Sequence, residues 1–152
     1  MPAWLLEAWT ADIAFTEALL RLSVAMGLSG LIGFEREITG RAAGLRTHML
    51  VGLAAALFTI IAFEMFAWVR QLEDSSGADP LRLLEAITAG VAFLAAGSIF
   101  RGEDRVRGLT TGAGLWMAGA VGMAAGQGLL GLATVATVLA VIVIALLRFI
   151  EP

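Results

Sequence analysis

Residues 49–69 read Met-Leu-Val-Gly-Leu-Ala-Ala-Ala-Leu-Phe-Thr-Ile-Ile-Ala-Phe-Glu-Met-Phe-Ala-Trp-Val, with Glu64 the only charge. A helix needs roughly 20 predominantly apolar residues to cross a hydrocarbon layer about 30 Å thick. This run meets that length alone. Four more apolar runs flank it, over residues 19–34, 86–100, 109–125 and 129–147, each bounded by charge or by a Gly-rich break. The expected fold is all-α, a polytopic membrane bundle of five transmembrane helices.

Composition points the same way. Hydrophobic residues make up 59% of the 152, against ~45–50% in soluble domains, and the mean hydropathy is +0.89. A soluble fold of this length cannot bury five such helices. The formal charge of −3 and the lack of a dense basic cluster argue against a nucleic-acid partner. There is no cysteine, which excludes disulfides and Cys-based metal sites. The N-terminus lacks the basic region of a secretory signal, so the first span is expected to be retained.

All ten basic residues are arginine, and they sort by loop. Arg36, Arg41, Arg46, Arg101, Arg105, Arg107 and Arg148 fall on one side; Arg70 and Arg82 fall on the other, diluted by Glu73, Asp74, Asp79 and Glu85. The positive-inside rule then sets the N-terminus outside and the C-terminus in the cytoplasm. Trp4, Trp9 and Trp68 fall at the outer interface, where indole rings prefer the headgroup layer. Residues 1–16 form either a short interfacial helix, with Trp4, Leu5, Ala8, Trp9 and Ile13 on one face, or a polar lead-in. Residues 17–150 form the transmembrane domain. Asp79 and Pro80 have the order of an N-cap and a first helical residue. Gly126-Gln127-Gly128 leaves room only for an antiparallel turn.

Lipid gives helices no hydrophobic reason to associate, so close packing rests on small residues. Gly114, Ala118, Gly122 and Gly126 recur every fourth residue in the fourth span, preceded by Gly108 and Gly112. Span one offers Ser29 and Gly33; span three offers Ala89, Ala92, Ala96 and Gly97. The fourth span is therefore expected at the bundle centre.

Ionisable groups within hydrocarbon are functional candidates by default, but most here sit near span ends. Glu17 and Arg21 have the spacing of a helical ion pair. Glu64 either reaches the headgroups or lines a pathway. His48, the single histidine, reads as an interfacial hydrogen-bonding group. The segment 101–107 reads as a solvated turn. No catalytic triad order, Walker loop or His-Glu-x-x-His motif is present in the sequence, so an enzyme is not expected.

Gly30-Leu31-Ile32-Gly33-Phe34-Glu35-Arg36-Glu37, followed by Gly40-Arg41-Ala42-Ala43-Gly44-Leu45-Arg46-Thr47-His48, resembles the signature of the MgtC/SapB family. So do Asp79-Pro80-Leu81-Arg82, residues 90–97, and Arg107-Gly108-Leu109-Thr110-Thr111 through Trp116. The resemblance runs in order from about residue 21 to 148. It implies a bacterial inner-membrane protein linked to magnesium limitation, stress adaptation and, in pathogens, virulence. Carried over by position, the motif residues are Glu35, Arg36, Arg46, Thr47, His48, Asp79, Arg82, Arg107, Thr110 and Thr111. Two departures stand out: Ala92 and Ala95 replace glycines of the family pattern, and Gly112 and Gly114 stand where Ala and Ser are common. The resemblance also implies that longer members carry a soluble C-terminal domain, which is not expected in this sequence.

Two functions follow as alternatives. One is a regulatory or interaction protein within the bilayer, with no cofactor; its partners would be the lipid bilayer, a second copy in a homodimer, and another inner-membrane protein. The other is a transporter or channel for magnesium or another small ion. Magnesium favours oxygen ligands, and only Glu17, Glu64 and Asp79 are suited to contribute, with Glu64 and Asp79 the candidate metal ligands.

Overall fold

The computed structural model describes residues 11–71, 79–101 and 106–147. The expected surface helix as far as residue 10, the loop 72–78, residues 102–105 and residues 148–152 lie outside the described residues. Each of the five apolar runs is a helix: α1 (Phe15–Ile38), α2 (Leu45–Arg70), α3 (Pro80–Ala96), α4 (Leu109–Gly126) and α5 (Leu130–Leu147). Two of them, α1 and α2, are long and apolar enough to cross a membrane, with mean hydropathies of 1.4 and 2.2. The other three span 17, 18 and 18 residues.

Between α3 and α4 the expected turn is a small antiparallel hairpin, β1 (Phe100–Arg101) on β2 (Val106–Arg107), with Phe100 opposite Arg107. Its four described residues are exposed, as in a solvated turn, and backbone pairing adds order to it. The hairpin ends at Gly108, whose φ of +88° is open to glycine at little cost. A Cβ there would fall on the Ser98 carbonyl.

Glycine also stops α1 and α4. At Gly40 (φ +66°) and Gly128 (φ +92°) the chain turns left-handed. Arg41 N–H donates to the Arg36 carbonyl and Gly40 N–H to that of Glu37; Leu129 and Gly128 repeat the pattern on Ala124 and Ala125. This is the Schellman arrangement, which satisfies carbonyls that a helix end leaves open. It makes α1–α2 and α4–α5 tight antiparallel hairpins.

Side chains of one helix tie down the ends of another. The Glu64 carboxylate on α2 accepts from the backbone N–H groups of Asp12 (2.6 Å) and Ile13 (3.0 Å), just ahead of α1. At the opposite end Glu37 on α1 accepts from Leu45 N–H at the first residue of α2 (2.9 Å). Each helix thus lends the other an anion where the macrodipole is positive. Arg21, paired with Glu17, donates to the Gly126 carbonyl at the C-terminal end of α4 (3.0 Å). Asp79 caps α3 by accepting from Leu81 N–H (2.9 Å), with Pro80 at the first turn.

α4 packs against all four other helices, the central place expected for it. A Cβ on Gly122 would fall on the Gly52 carbonyl of α2, and one on Gly126 would meet the Ala56 carbonyl at 2.5 Å. On α4, Gly112 faces the Ala95 carbonyl of α3, and Gly119 faces Val91, a contact the four-residue stripe did not include. From α1, Ser29 fills the space left by Gly52 and donates to the Ala118 carbonyl (3.3 Å). Ala89, Ala92, Ala96 and Gly97 on α3 face outward instead of packing within the chain.

Two stability outcomes follow. Gly122→Ala is expected to lower stability by about 1–3 kcal/mol, because an extra methyl has nowhere to go in a filled contact. Gly131→Ala, whose Cβ meets nothing within 4 Å, is expected to be neutral or stabilising. Thermal unfolding in one detergent checks both. Glu64→Ala should cost about 0.5–2 kcal/mol, the range for a lost helix-end acceptor, and should speed hydrogen exchange at Asp12 and Ile13.

Candidate functional site

The motif residues divide between the two ends of the bundle. At the end where α1 stops and α2 and α4 begin lie Glu35, Arg36, Arg46, Thr47, His48, Arg107, Thr110 and Thr111. Asp79 and Arg82 lie at the other end, at the start of α3. Both are exposed, so the ten do not form one constellation.

Within the first group, four side chains turn inward. Glu35 and Arg36 are buried in the last turn of α1, with a carboxylate-to-guanidinium separation of 3.5 Å. His48 is 0% exposed and Thr111 is buried in the first turn of α4. Arg46, Arg107 and Thr110 face outward, and Thr47 is half-buried.

His48 lies between glycines of two neighbouring helices. A Cβ on Gly33 of α1 would lie 2.7 Å from His48 Cβ, and one on Gly114 of α4 would lie 3.1 Å from Nε2. Gly33 lets the start of α2 approach α1 at His48, and Gly114 leaves room for the ring. Its Nδ1 lies 2.8 Å from the Gly44 carbonyl. A carbonyl only accepts, so Nδ1 is the donor. The expected interfacial hydrogen bond exists, but the ring is in the core rather than at an interface. Among the described residues, buried Nε2 has no hydrogen-bond partner, and neither has Arg36 Nε. Buried polar atoms without partners are rare and call for an explanation.

Chemically this is a packed cationic and imidazole cluster with one carboxylate, unlike an oxygen-rich cation cage. Among the described residues no three His, Cys, Asp or Glu side chains gather to hold a metal ion. Of the carboxylates toward the opposite end of the bundle, Glu64 accepts two backbone N–H groups, Glu17 pairs with Arg21, and Asp79 caps α3. Glu64 thus ties the start of α1 to α2.

The departures from the family pattern also take on physical meaning. Ala95 is buried on α3, and its carbonyl lies against Gly112 of α4. Gly114 presents no side chain to His48 Nε2. Sequence reasoning missed Glu37 and Gly44, whose positions are coupled: a Cβ on Gly44 would overlap the Glu37 carboxylate. The signal was available as a glycine directly ahead of a helix and an acidic residue one short loop away.

Gly114→Ser is expected to raise stability by about 1 kcal/mol over Gly114→Ala, the net worth of one hydrogen bond. The serine supplies a donor for Nε2, whereas alanine brings only the tight 3.1 Å contact. Paired thermal unfolding of the two variants measures the difference.

Known proteins resemble this chain over most of its length. The sequence model of the MgtC family matches residues 22–152. A protein of Escherichia coli K12 described as putative magnesium transporter YhiD is 40% identical over 128 residues, which cover 84% of this chain and 59% of that protein. Protein MgtC of Brucella abortus is 44% identical over 127 residues, covering 84% and 50%. An uncharacterized Synechocystis protein is 44% identical over 115 residues, covering 76% and 45%. The chain thus spans about half the length of the curated relatives it matches. No solved structure matches. With a family match across nearly the whole chain and relatives at 40–44% identity, the chain belongs to the MgtC family.

Proposed function

We propose that this chain is a regulatory or interaction protein of the bacterial inner membrane, tied to adaptation to magnesium limitation and, in pathogens, to virulence. It crosses the bilayer five times, with the N-terminus outside and the C-terminus in the cytoplasm. The magnesium connection draws on the names of the relatives. The regulatory role draws on the carboxylates: the three side chains that suit a cation route, Glu17, Glu64 and Asp79, each hold an Arg or a backbone N–H of the chain itself. Magnesium demands near-ideal octahedral oxygen coordination and sheds water reluctantly. Carboxylates committed to helix ends serve that poorly.

In this reading the cytoplasmic end is the working face. Arg46, Arg107 and Thr110 are exposed around the buried Glu35, Arg36 and His48. The buried group sets the spacing of α1, α2 and α4, and the exposed group meets another inner-membrane protein. The second reading, a magnesium transporter, is supported by the printed description of the Escherichia coli relative.

The two readings separate in vesicles containing only the purified protein. The regulatory reading predicts magnesium entry no faster than in empty vesicles. Saturable uptake that Asp79→Ala and Glu64→Ala abolish, while the variants remain folded, would establish transport instead.

A further inference from the structure

Four threonines inside helices, Thr59, Thr88, Thr134 and Thr137, each donate to the carbonyl four residues earlier, at 2.8 Å. Thr111 differs. It is buried as well, but it stands in the first turn of α4, where no helical carbonyl lies four residues back. Its hydroxyl donates to no carbonyl among the described residues.

Helix register brings Thr111 to the buried Arg36 and His48. Ser29 of α1 meets the Ala118 carbonyl of α4. Four residues on along α1 and four back along α4, Gly33 and Gly114 both lie against the His48 side chain. The next positions on those faces are Arg36 and Thr111, about 4.5 Å further along the bundle. Side chains tilt toward the N-terminus of their own helix. Arg36 therefore leans back toward Gly33 while His48 leans toward Gly44, so the two approach each other. The Arg36 charge acts on the His48 ring.

The three side chains leave free groups of different kinds. His48 Nδ1 donates to the Gly44 carbonyl, which leaves Nε2 of the neutral ring as an acceptor. Arg36 Nε–H is a donor, and the guanidinium stands 3.5 Å from Glu35, beyond the usual N–H···O distance. The Thr111 hydroxyl can donate or accept. A cation here would meet the Arg36 charge. An oxyanion only accepts, and would face the Nε2 lone pair. What fits must accept from Arg36 and donate to His48 at once, as water does. Buried waters typically make about three hydrogen bonds to groups otherwise unsatisfied, and three side chains are on hand.

We propose that one structural water is bound between α1, α2 and α4, accepting from Arg36 Nε–H, donating to His48 Nε2 and sharing a third hydrogen bond with the Thr111 hydroxyl. It links three helices whose polar side chains make no direct hydrogen bond to one another here. Serine at position 114 hands Nε2 a tethered donor and frees the water, an exchange favoured by the molecule released. The site is independent of whether the protein regulates or transports.

Two measurements on the intact protein test it. A crystallographic map that resolves ordered waters is expected to show a peak within hydrogen-bond distance of both Arg36 Nε and His48 Nε2. His48 is the single histidine, so nitrogen-15 labelling of histidine reads its ring without overlap. The Nε2 resonance is expected at the position of a hydrogen-bonded acceptor in the unchanged protein and in Thr111→Ser. In Thr111→Val it should move toward that of an unbonded acceptor. Thr111 does not touch Nε2 with a hydrogen bond of its own, so that movement reports the shared water. No peak between the two side chains, a proton carried on Nε2 with Nδ1 bare, or a resonance that Thr111→Val leaves unmoved would overturn the proposal.

Discussion

Where α4 crosses α2, main chain meets main chain. Gly122 lies against the Gly52 carbonyl and Gly126 against that of Ala56, with no room for a methyl at either point. Much else follows from that spacing. It brings α1 close enough for Ser29 to reach the Ala118 carbonyl. It also leaves, one end along, the slot between Gly33 and Gly114 that the His48 ring fills. In lipid this matters more than in water, because apolar side chains gain nothing by leaving one hydrocarbon for another and close contact must supply the attraction.

The charged groups make sense against this background. Glu64 and Glu37 sit at opposite ends of the α1–α2 hairpin, each holding backbone N–H groups of the other helix. Arg21 and Asp79 do equivalent work for α4 and α3. Ionisable residues in an apolar chain often mark a route for ions. Here geometry assigns several of them to helix ends, where unsatisfied backbone groups collect. What remains is the inward cluster of Glu35, Arg36 and His48, with His48 Nε2 and Arg36 Nε lacking partners among the described residues.

Much of this was legible beforehand. Five apolar runs became five helices, Asp79-Pro80 opened α3, and Gly126-Gln127-Gly128 made the predicted turn. The central place of α4 followed from glycines at a four-residue period. Three things were hidden. Glu64 read as a headgroup or pathway group because its partners, Asp12 and Ile13, lie some fifty residues away and leave no local spacing in the sequence. His48 read as interfacial because its burial depends on Gly33 and Gly114, far apart in the chain. The small residues of α3 read as internal packing, since periodicity reveals that a face exists but not which neighbour covers it.

Hydrogen–deuterium exchange resolved to single amides of the protein in detergent tests the central contact most directly. The slowest exchange is expected at Gly52–Ala56 of α2 and Ala118–Gly126 of α4, with α3 and α5 opening orders of magnitude faster. Protection in α5 equal to or greater than that of the α2–α4 crossing would contradict the account.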